Sequence, residues 1–429
     1  MAEVTVPAVD VNVSIGERPG VGPDRAALRS AYLSCLIVGW GGLFAGATGP
    51  LLSAFLPPLV QSALGDRRTI IGAVMAIDNV LLLLLVPLAG AMSDRAVANG
   101  RARLPLVLVG YALAATGMAL FPLSARAGIA GVIAAMVVLY TGINLQRSPF
   151  QALVADSVPS AYRSVGNGSV IFHMCLGAIV FLMLGRMLGM QPAFLIAAGT
   201  VVAIGAAFAL WLREPRVAQT RATEATYRSL AAVAWSAVRG DIPGLRAVFV
   251  STLLLQLTFQ TFTTWYALYG TERFGVRPED VTIGFIAWAA GALIGALPGG
   301  FIGRRIGRRK TIVLGFASMA ICLLALDRVG DMSRATPLIA LASASWALPM
   351  ANAYPLFVEP IPQHQRGVLS AMFVLCMAGG AIGDPLNGAL FDMFDSYRPL
   401  FGLMAVYTAL ALTAVLCVPR GVGEAGTGQ

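Results

Sequence analysis

The stretch Asp156-Ser-Val-Pro-Ser-Ala-Tyr-Arg163 decides the fold of this chain, because it returns in altered form as Glu359-Pro-Ile-Pro-Gln-His-Gln-Arg366. Three positions match at an offset of 203 residues: the acid, the proline three residues after it and the arginine seven residues after it. In each copy the cluster lies between two long apolar runs. Repetition of a largely apolar unit is typical of membrane proteins whose two halves move about a shared site. The stretch therefore predicts a membrane protein built from two similar halves.

A second element repeats at a similar distance. Gly90-Ala-Met-Ser-Asp94-Arg95 leads into Gly100-Arg-Ala-Arg103, and Gly300-Phe-Ile-Gly-Arg304-Arg305 leads into Gly307-Arg-Arg-Lys310. Both copies follow an apolar run and end in a basic cluster. The second copy carries an arginine where the first carries an aspartate. We therefore expect the two loops to occupy equivalent positions in the halves but to differ in the charge at this residue.

The composition excludes an ordinary soluble domain. Of the 429 residues, 57% are hydrophobic and 12% are charged, with a mean hydropathy of +0.77, whereas soluble domains carry about 25% charged residues. The apolar runs are about 20 residues long, which is enough to cross about 30 Å of hydrocarbon. The net charge of +9 lies in short loops between these runs, so it indicates a lipid bilayer and not nucleic acid as the partner.

Twelve apolar spans predict an all-α membrane protein of twelve transmembrane helices in two six-helix pseudo-symmetric halves. The predicted spans are 30–57, 69–92, 103–124, 127–153, 164–185, 192–212, 244–270, 281–302, 310–327, 335–358, 367–390 and 397–418. The predicted segments are an N-terminal tail (1–29), a first half (30–212), a central loop (213–243), a second half (244–418) and a C-terminal tail (419–429).

The basic residues predict the orientation. With the N-terminus inside, the inner segments carry 20 of the 30 Arg and Lys residues and the outer loops carry 9. This asymmetry places the two tails and the central loop in the cytoplasm, with the protein in the plasma (inner) membrane. The five cysteines lie in apolar runs without metal-ligand spacing, so neither a metal nor a cofactor is expected.

Over roughly residues 30–420, this organisation resembles the major facilitator superfamily, and the Gly90–Arg95 element is that superfamily's most specific signature. Within it, three stretches resemble bacterial relatives of the sucrose and maltose proton symporters, in the glycoside–pentoside–hexuronide branch. These stretches are Asp78-Asn79, Ser93–Arg95 with Gly100–Pro105, and Arg147–Asp156 with Arg163–Asn167. The resemblance implies a monomeric secondary transporter that works by alternating access.

Two charged residues lie within predicted membrane spans, where a charge costs free energy. Asp78 in span 2 and Arg147 in span 4 both lie near the predicted middle of the bilayer, where each costs on the order of 2.5–3.5 kcal/mol. Asp78 is predicted to accept the coupling proton, because burial raises a carboxyl pKa and a nearby cation lowers it again. The alternative is a structural acid that is hydrogen-bonded to neighbouring helices.

Arg147 belongs to a polar helix face. Asn144, Arg147 and Gln151 fall at i, i+3 and i+7 in an otherwise apolar span, which predicts a cavity-lining face that binds substrate hydroxyls or balances Asp78. A salt bridge that only fixes helix packing is the alternative. Plant sucrose carriers place an arginine at the position of Gln151, which puts a sucrose-like substrate in doubt. Leu82 leaves a melibiose-type sodium site incomplete, so proton coupling is preferred.

Another polar stripe lies in span 7, where three polar residues recur at i, i+4 and i+8 beside aromatic rings. Such a stripe fits a neutral, hydroxyl-rich ligand, although hydrogen bonding between helices would use the same residues. The residues predicted to bind substrate are Asn144, Arg147, Gln151, Gln256, Gln260, Thr264, Trp265, Tyr266, Asn352 and Tyr354.

Three further membrane residues are ambiguous. His173 in span 5 is a candidate for proton coupling, although a lone histidine among apolar residues is more often packed and hydrogen-bonded. Asp384 and Asn387 lie in the predicted outer third of span 11. They form an outer gate or reach the membrane interface, and their depth slightly favours the interface.

The repeated loops are predicted to gate the cytoplasmic side. The resemblance implies that Asp94 helps to hold the two halves together there when the site faces outward; the alternative is a passive anchor. Because Arg304 replaces the acid in the second copy, that loop is not expected to form the same contact. The predicted gate residues are Gly90, Asp94, Arg95, Arg103, Asp156, Arg163, Arg304, Arg308, Glu359 and Arg366.

These features favour transport over catalysis, because no constellation of enzymatic residues stands out in the sequence. The preferred hypothesis is a proton-driven symporter of a sugar, glycoside or similarly hydroxylated solute. The main alternative is a proton-coupled exporter of drugs or an amphipathic metabolite on the same fold. A membrane-embedded enzyme or receptor is the third hypothesis.

Overall fold

The computed structural model describes residues 25–158, 162–212, 245–358 and 375–418, together with Trp235 and Arg239. Every regular element in these ranges is helical, so the all-α prediction is confirmed. The first half contains α1 (Arg25–Leu64), α2 (Arg68–Met75), α3 (Ile77–Ala98), α4 (Leu104–Ser124), α5 (Gly128–Ser157), α6 (Arg163–Leu188) and α7 (Met190–Trp211). The second half contains α8 (Leu245–Phe274), α9 (Pro278–Ile306), α10 (Arg308–Arg328), α11 (Met332–Val358), α12 (Gly380–Phe394) and α13 (Leu400–Leu416).

The helices match the predicted spans. Nine helices in the described ranges are long and apolar enough to cross a membrane, counting α2 and α3 together as one. The last three helices, α11, α12 and α13, occupy the positions predicted for spans 10, 11 and 12. Almost all of the central loop, most of the two tails and residues 359–374 lie outside the described residues, so the predicted segment boundaries there stay predictions.

The two halves repeat one packing scheme. In the first half α1 packs on α6, α3 on α5, and α4 on both α5 and α7. In the second half α8 packs on α12, α9 on α11, and α10 on both α11 and α13. Each contact of the first set has its counterpart in the second set at the matching position of the repeat. The fold therefore has two pseudo-symmetric halves, as predicted.

In the described residues the two halves meet where α2 and α3 pack against α12, where α6 packs against α9, and where α1 packs against α8 and α9. Small residues allow the first contact to be close, as is common between helices in a membrane. A Cβ atom added to Gly72 would lie 2.3 Å from the backbone oxygen of Asp384, and one added to Gly388 would lie 2.4 Å from that of Arg68. The backbones of α2 and α12 are therefore in direct contact.

The second span is interrupted at Ala76, which separates α2 from α3. The ψ angle of Ala76 is −14°, compared with about −42° in a regular α-helix, so the chain tightens there. The interruption puts Asp78 in the first turn of α3. Because the span runs from Arg68 to the loop after Asp94, these two residues mark opposite ends of the bundle, here called the Arg68 end and the Asp94 end.

Candidate functional site

Asp78 of α3 is bound by a side chain of α5. Asn144 of α5 is fully buried and donates from Nδ2 to Oδ1 of Asp78 at 3.0 Å. The same Nδ2 also donates to the backbone oxygen of Tyr140 at 3.0 Å. The side-chain amide of Asn144 is therefore oriented by α5 while it binds the carboxylate on α3. This places the predicted polar face of α5 against span 2.

Arg147 lies near this carboxylate without a direct bond. Its charge acts on Asp78, but the two side chains form no ion pair within 4 Å among the described contacts. Exposure rises along the face from buried Asn144 through partly exposed Arg147 to exposed Gln151. The face therefore contacts Asp78 at its buried end and is exposed at its other end, which lies toward the Asp94 end.

A second buried carboxylate faces the first from the other half. Asp384 of α12 is 1% exposed and lies beside the hydroxyl of Thr264. The charge of Asp78 acts on it, and its own charge acts on Tyr140. The expectation that Asp384 and Asn387 reach the membrane interface is wrong, because both are buried. Asn387 donates to Thr261 at 2.8 Å and accepts from Tyr407 at 2.6 Å.

An amide pair crosses between the halves beside these acids. Gln260 of α8 donates from Nε2 to Oδ1 of Asn79 at 2.8 Å. Gln256, one turn away, is buried, and its Oε1 has no hydrogen-bond partner among the described residues. The polar stripe predicted on α8 therefore faces the first half, and one of its oxygens is left without a donor in this structure.

Aromatic rings lie next to this stripe. Phe259 stacks on Trp346 at 5.1 Å between ring centroids, and Trp288 lies 6.0 Å from Trp346. The indole Nε1 of Trp346 is buried without a partner among the described residues. These three residues, called the aromatic wall below, come from α8, α9 and α11; Phe259 and Trp346 are partly exposed, whereas Trp288 is buried.

Three predicted substrate ligands are corrected. Trp265 and Tyr266 are fully buried within the second half, where Trp265 contacts Phe391 and Tyr397, and Tyr266 stacks on Phe262. Their rings are core, because packing from every side leaves no face for a ligand. Asn352 donates to the backbone oxygens of Gly299 and Leu348, so it joins α11 to α9. The side chain of Tyr354 is outside the described residues.

His173 is held by its own helix. Its Nδ1 lies 2.8 Å from the backbone oxygen of Ser169, and its ring makes an edge contact with Phe172. Gly39 of α1 presses against the same ring, since a Cβ there would lie 2.6 Å from Nδ1. Among the described residues it contacts neither Asp78 nor Arg147. The arrangement matches the packed histidine that the sequence left as the alternative.

The loop cluster at the Asp94 end lies within the first half. Arg103 binds Asp94 at 2.5 Å, Asp156 at 3.1 Å and the hydroxyl of Ser93 at 2.9 Å. It therefore ties the loop after α3 to the end of α5, and Gly90 packs on Ser148 beside it. Arg95 is exposed and Arg308 begins α10. The side chains of Arg163 and Arg304, and the residues Glu359 and Arg366, are outside the described residues.

Replacement of Arg103 by glutamine is expected to destabilise the first half. Its side chain is 12% exposed, and the change leaves Asp94 and Asp156 facing each other without a cation. Loss of one partner from a largely buried ion pair costs several kcal/mol, and partial exposure of the acids reduces this to about 1–3 kcal/mol. Thermal unfolding of the purified protein in detergent measures the loss. Exposed Arg101→Gln is the matched control, and an equal loss in both variants would contradict the assignment.

The opposite end holds a second ionic cluster, and this one joins the halves. Asp392 of α12 accepts from the backbone amides of Arg68 at 3.0 Å and Thr69 at 2.8 Å, at the start of α2. The guanidinium of Arg68 binds Asp395 at 2.8 Å and lies over the ring of Tyr397. We call these five residues the Arg68 latch. At the same end Arg186 of α6 lies 3.6 Å from Asp280 of α9.

The direct polar contacts between halves, among pairs of described residues, thus lie at the Arg68 end and at mid-depth. The Asp94 end shows pairing within one half. This pattern is that of an alternating-access protein closed at the Arg68 end.

Known proteins share this organisation. The family model of the Major Facilitator Superfamily matches residues 38–383 and 274–427. The tetracycline resistance protein of class E from Escherichia coli is 25% identical over 357 residues, covering 80% of this chain and 84% of that protein. The class G protein from Vibrio anguillarum is 25% identical over 403 residues, covering 91% and 89%.

Solved structures agree on the fold. The nucleoside transporter NupG superposes with a TM-score of 0.71 at 15% identity, covering 90% of this chain and 99% of that chain. A bacterial homolog of the human lysosomal transporter Spinster, inward-facing and unoccupied, gives a TM-score of 0.68 at 13% identity, covering 91% and 95%. The Escherichia coli fucose:proton symporter FucP gives 0.60 at 14% identity, covering 91% and 100%.

The superfamily prediction is confirmed by these matches, and the branch of sucrose and maltose symporters stays a prediction. The duplicated helical fold, the charged cluster between its halves and the family match over most of the residues lead to one assignment. This chain belongs to the major facilitator superfamily and is a secondary transporter.

Proposed function

We propose that the protein is a proton-coupled symporter of a sugar, glycoside or similarly hydroxylated solute, with Asp78 as the proton acceptor. The observation that carries this proposal is the carboxylate of Asp78, held by Asn144 and within range of the charge of Arg147 where the halves meet. A membrane protein tolerates such charges where they serve an ion or substrate path. Neutralisation of this carboxylate by a proton links the proton gradient to the contact between the halves.

The substrate class is proposed from two unpaired polar groups, one on α8 and one on α11. Gln256 offers an acceptor and Trp346 offers a donor, both buried without partners among the described residues. Leaving such groups unpaired costs on the order of 1–3 kcal/mol each, and a bound hydroxyl satisfies either one. The aromatic wall supplies the stacking face that sugar rings use, and Arg147 supplies paired donors.

The orientation follows from the charge count. We place the Asp94 end in the cytoplasm, because the inner segments carry 20 of the 30 basic residues. The structure then represents a state that is closed outside by the Arg68 latch, with the exposed end of the α5 face toward the cytoplasm. A monomer in the plasma (inner) membrane suffices for this mechanism, since both halves lie on one chain.

Proton-coupled efflux of a drug or amphipathic metabolite is the second candidate. The similarity to two tetracycline resistance proteins over 80% and 91% of the chain favours it. In this case the same carboxylate exchanges a proton for the exported compound, and the aromatic wall receives an apolar ring system. The two candidates differ in the direction in which substrate moves relative to the proton.

Transport into proteoliposomes separates these candidates. The purified protein is reconstituted, and a panel of radiolabelled sugars and glycosides is offered with an inward proton gradient. We expect at least one compound to accumulate and a protonophore to abolish the accumulation. Tetracycline is tested in parallel with the gradient reversed, so that the vesicle interior is acidic. Accumulation of tetracycline under that gradient, with no sugar accumulating under the first, would replace symport by efflux.

A further inference from the structure

Asp384 has no role in the mechanism proposed so far, yet its setting is unusual. The carboxylate is 1% exposed, and its Oδ1 has no hydrogen-bond partner among the described residues. The charge of Asp78, in the other half, acts on it. An ionised carboxylate with a bare oxygen and a like charge nearby is unfavourable in a low-dielectric interior. A proton bound to the carboxylate relieves this arrangement.

The packing of α2 on α12 is what brings Asp384 to this place. Gly72 lies against the backbone of Asp384, so no side chain separates the two helices there. Asp78 follows Gly72 by six residues on the same span, after the interruption at Ala76. The distance between the carboxylates therefore depends directly on whether the halves are closed at the Arg68 end.

The charges around Asp384 are few. Its charge interacts with Asp78 of α3 and with the phenols Tyr140 of α5 and Tyr407 of α13. Arg147 of α5 acts on Asp78, and α8 presents the uncharged Thr264. With both acids ionised and the arginine charged, the cluster holds one net negative charge. One added proton makes the cluster neutral, which a buried site favours.

We propose that Asp78 and Asp384 share one exchangeable proton across the interface of the halves, and that this proton keeps the Arg68 end closed. The inference rests on the proposed proton coupling. A proton from water bonds to one carboxylate oxygen, and the pair then tolerates close contact. When the proton leaves to water at the Asp94 end, two like charges face each other, and repulsion favours separation of α3 from α12.

A shared proton fixes the direction in which pH shifts the equilibrium between the open and closed forms. Raising the pH removes the shared proton and shifts the protein toward opening at the Arg68 end, whereas lowering the pH favours the closed form. Asp384→Asn removes one of the two like charges, so the closed form should persist at high pH. Conservative Asp384→Glu keeps the acid and should restore the pH dependence.

Spin labels report this equilibrium without any substrate. Ser62 and Arg398 are both exposed and lie on opposite halves, next to Gln61 and Tyr397, which contact each other at 3.4 Å. They are labelled through introduced cysteines after exposed Cys417 is changed to serine. In lipid nanodiscs, we expect the long-distance population to rise with pH in the parent protein but not in Asp384→Asn. Unchanged pH dependence in Asp384→Asn would overturn the proposal.

Two further measurements keep the test decisive. Glu279→Gln, which removes a carboxylate at the start of α9, should behave like the parent protein. Infrared difference spectra between low and high pH should show a protonated carboxyl band that both Asp78→Asn and Asp384→Asn remove. A band that is lost in Asp78→Asn and retained in Asp384→Asn would assign the proton to Asp78 alone and reject sharing.

These readouts separate the pair from the transport function. If the distance and infrared changes depend on Asp384 while no compound accumulates with the proton gradient, the shared proton stands and symport fails. If gradient-driven uptake is found while Asp384→Asn leaves both readouts unchanged, symport stands and the shared proton fails.

Discussion

Replacement of Asp78 by asparagine is expected to abolish proton-driven accumulation of substrate while downhill exchange continues. The amide has the shape of the carboxylate and still offers an oxygen to the Nδ2 of Asn144, so the site should keep its geometry. It cannot take up a proton at physiological pH, so the gradient no longer acts on the interface. One coupled proton and one pH unit support about tenfold accumulation, which should fall to equal concentrations on both sides.

The measurement is uptake into proteoliposomes with and without a pH gradient, followed by exchange of labelled for unlabelled substrate at equal pH. Asp331→Asn makes the same chemical change in an exposed loop and should accumulate substrate like the parent protein. Retained accumulation in Asp78→Asn, with exchange also intact, would show that the coupling proton binds elsewhere.

The sequence alone was enough to predict the part of this site that lies in the first half. A charge inside an apolar run is costly, and helical spacing puts Asn144, Arg147 and Gln151 on one face. The structure confirms that this face contacts Asp78. The prediction succeeded because it needed only depth along a helix and rotation about its axis, both of which are local properties.

The sequence-based position of Asp384 was wrong, because the burial of this residue depends on contact between the two halves. Depth along span 11 put it near the membrane interface, whereas the close approach of α2 and α12 buries it. One local signal was available. Gly380, Asp384 and Gly388 recur at i, i+4 and i+8, and small residues on one face mark helices that pack closely in membranes.

The aromatic residues show a different limit. Trp265 and Tyr266 were grouped with Thr264 because they follow it in sequence, yet each residue of a helix turns by about 100° about the axis. Their side chains therefore leave the polar stripe and enter the core of the second half. Trp288 and Trp346 come from other helices, so only the tertiary packing assembles the aromatic wall.

The described residues show no contact of Asp94 across the halves. In the present structure Asp94 is paired with Arg103 within the first half, while the surface polar contacts across the halves that involve described residues lie at the Arg68 end. A role in holding the Asp94 end closed stays a prediction. Loop motifs predict candidate gate residues, but the conformation decides which partners these residues have.

Replacement of Asp392 by asparagine is expected to open the Arg68 end. Its carboxylate accepts from two backbone amides of the first turn of α2, where the helix dipole adds to the attraction. Hydrogen bonds to a charged group contribute about 1.5–3 kcal/mol each. Because the Asp392 side chain is 35% exposed, water replaces part of the lost hydrogen-bond energy. We therefore expect the closed state to lose about 1.4–2.8 kcal/mol of stability, which corresponds to a 10- to 100-fold shift toward the open state.

Distances between spin labels at Ser62 and Arg398 measure this shift, and Asp395→Asn is its matched control. Asp395 binds the same arginine at 2.8 Å, but its side chain is 92% exposed and the residue has a φ of 48°, which asparagine tolerates. Exposed ion pairs contribute at most about 1 kcal/mol, so this control should shift the equilibrium by less than about sixfold. Equal shifts in both variants would mean that net charge closes the Arg68 end. A shift confined to Asp392→Asn would mean that the carboxylate acts by capping α2 across the interface, which makes closure depend on the position of one side chain.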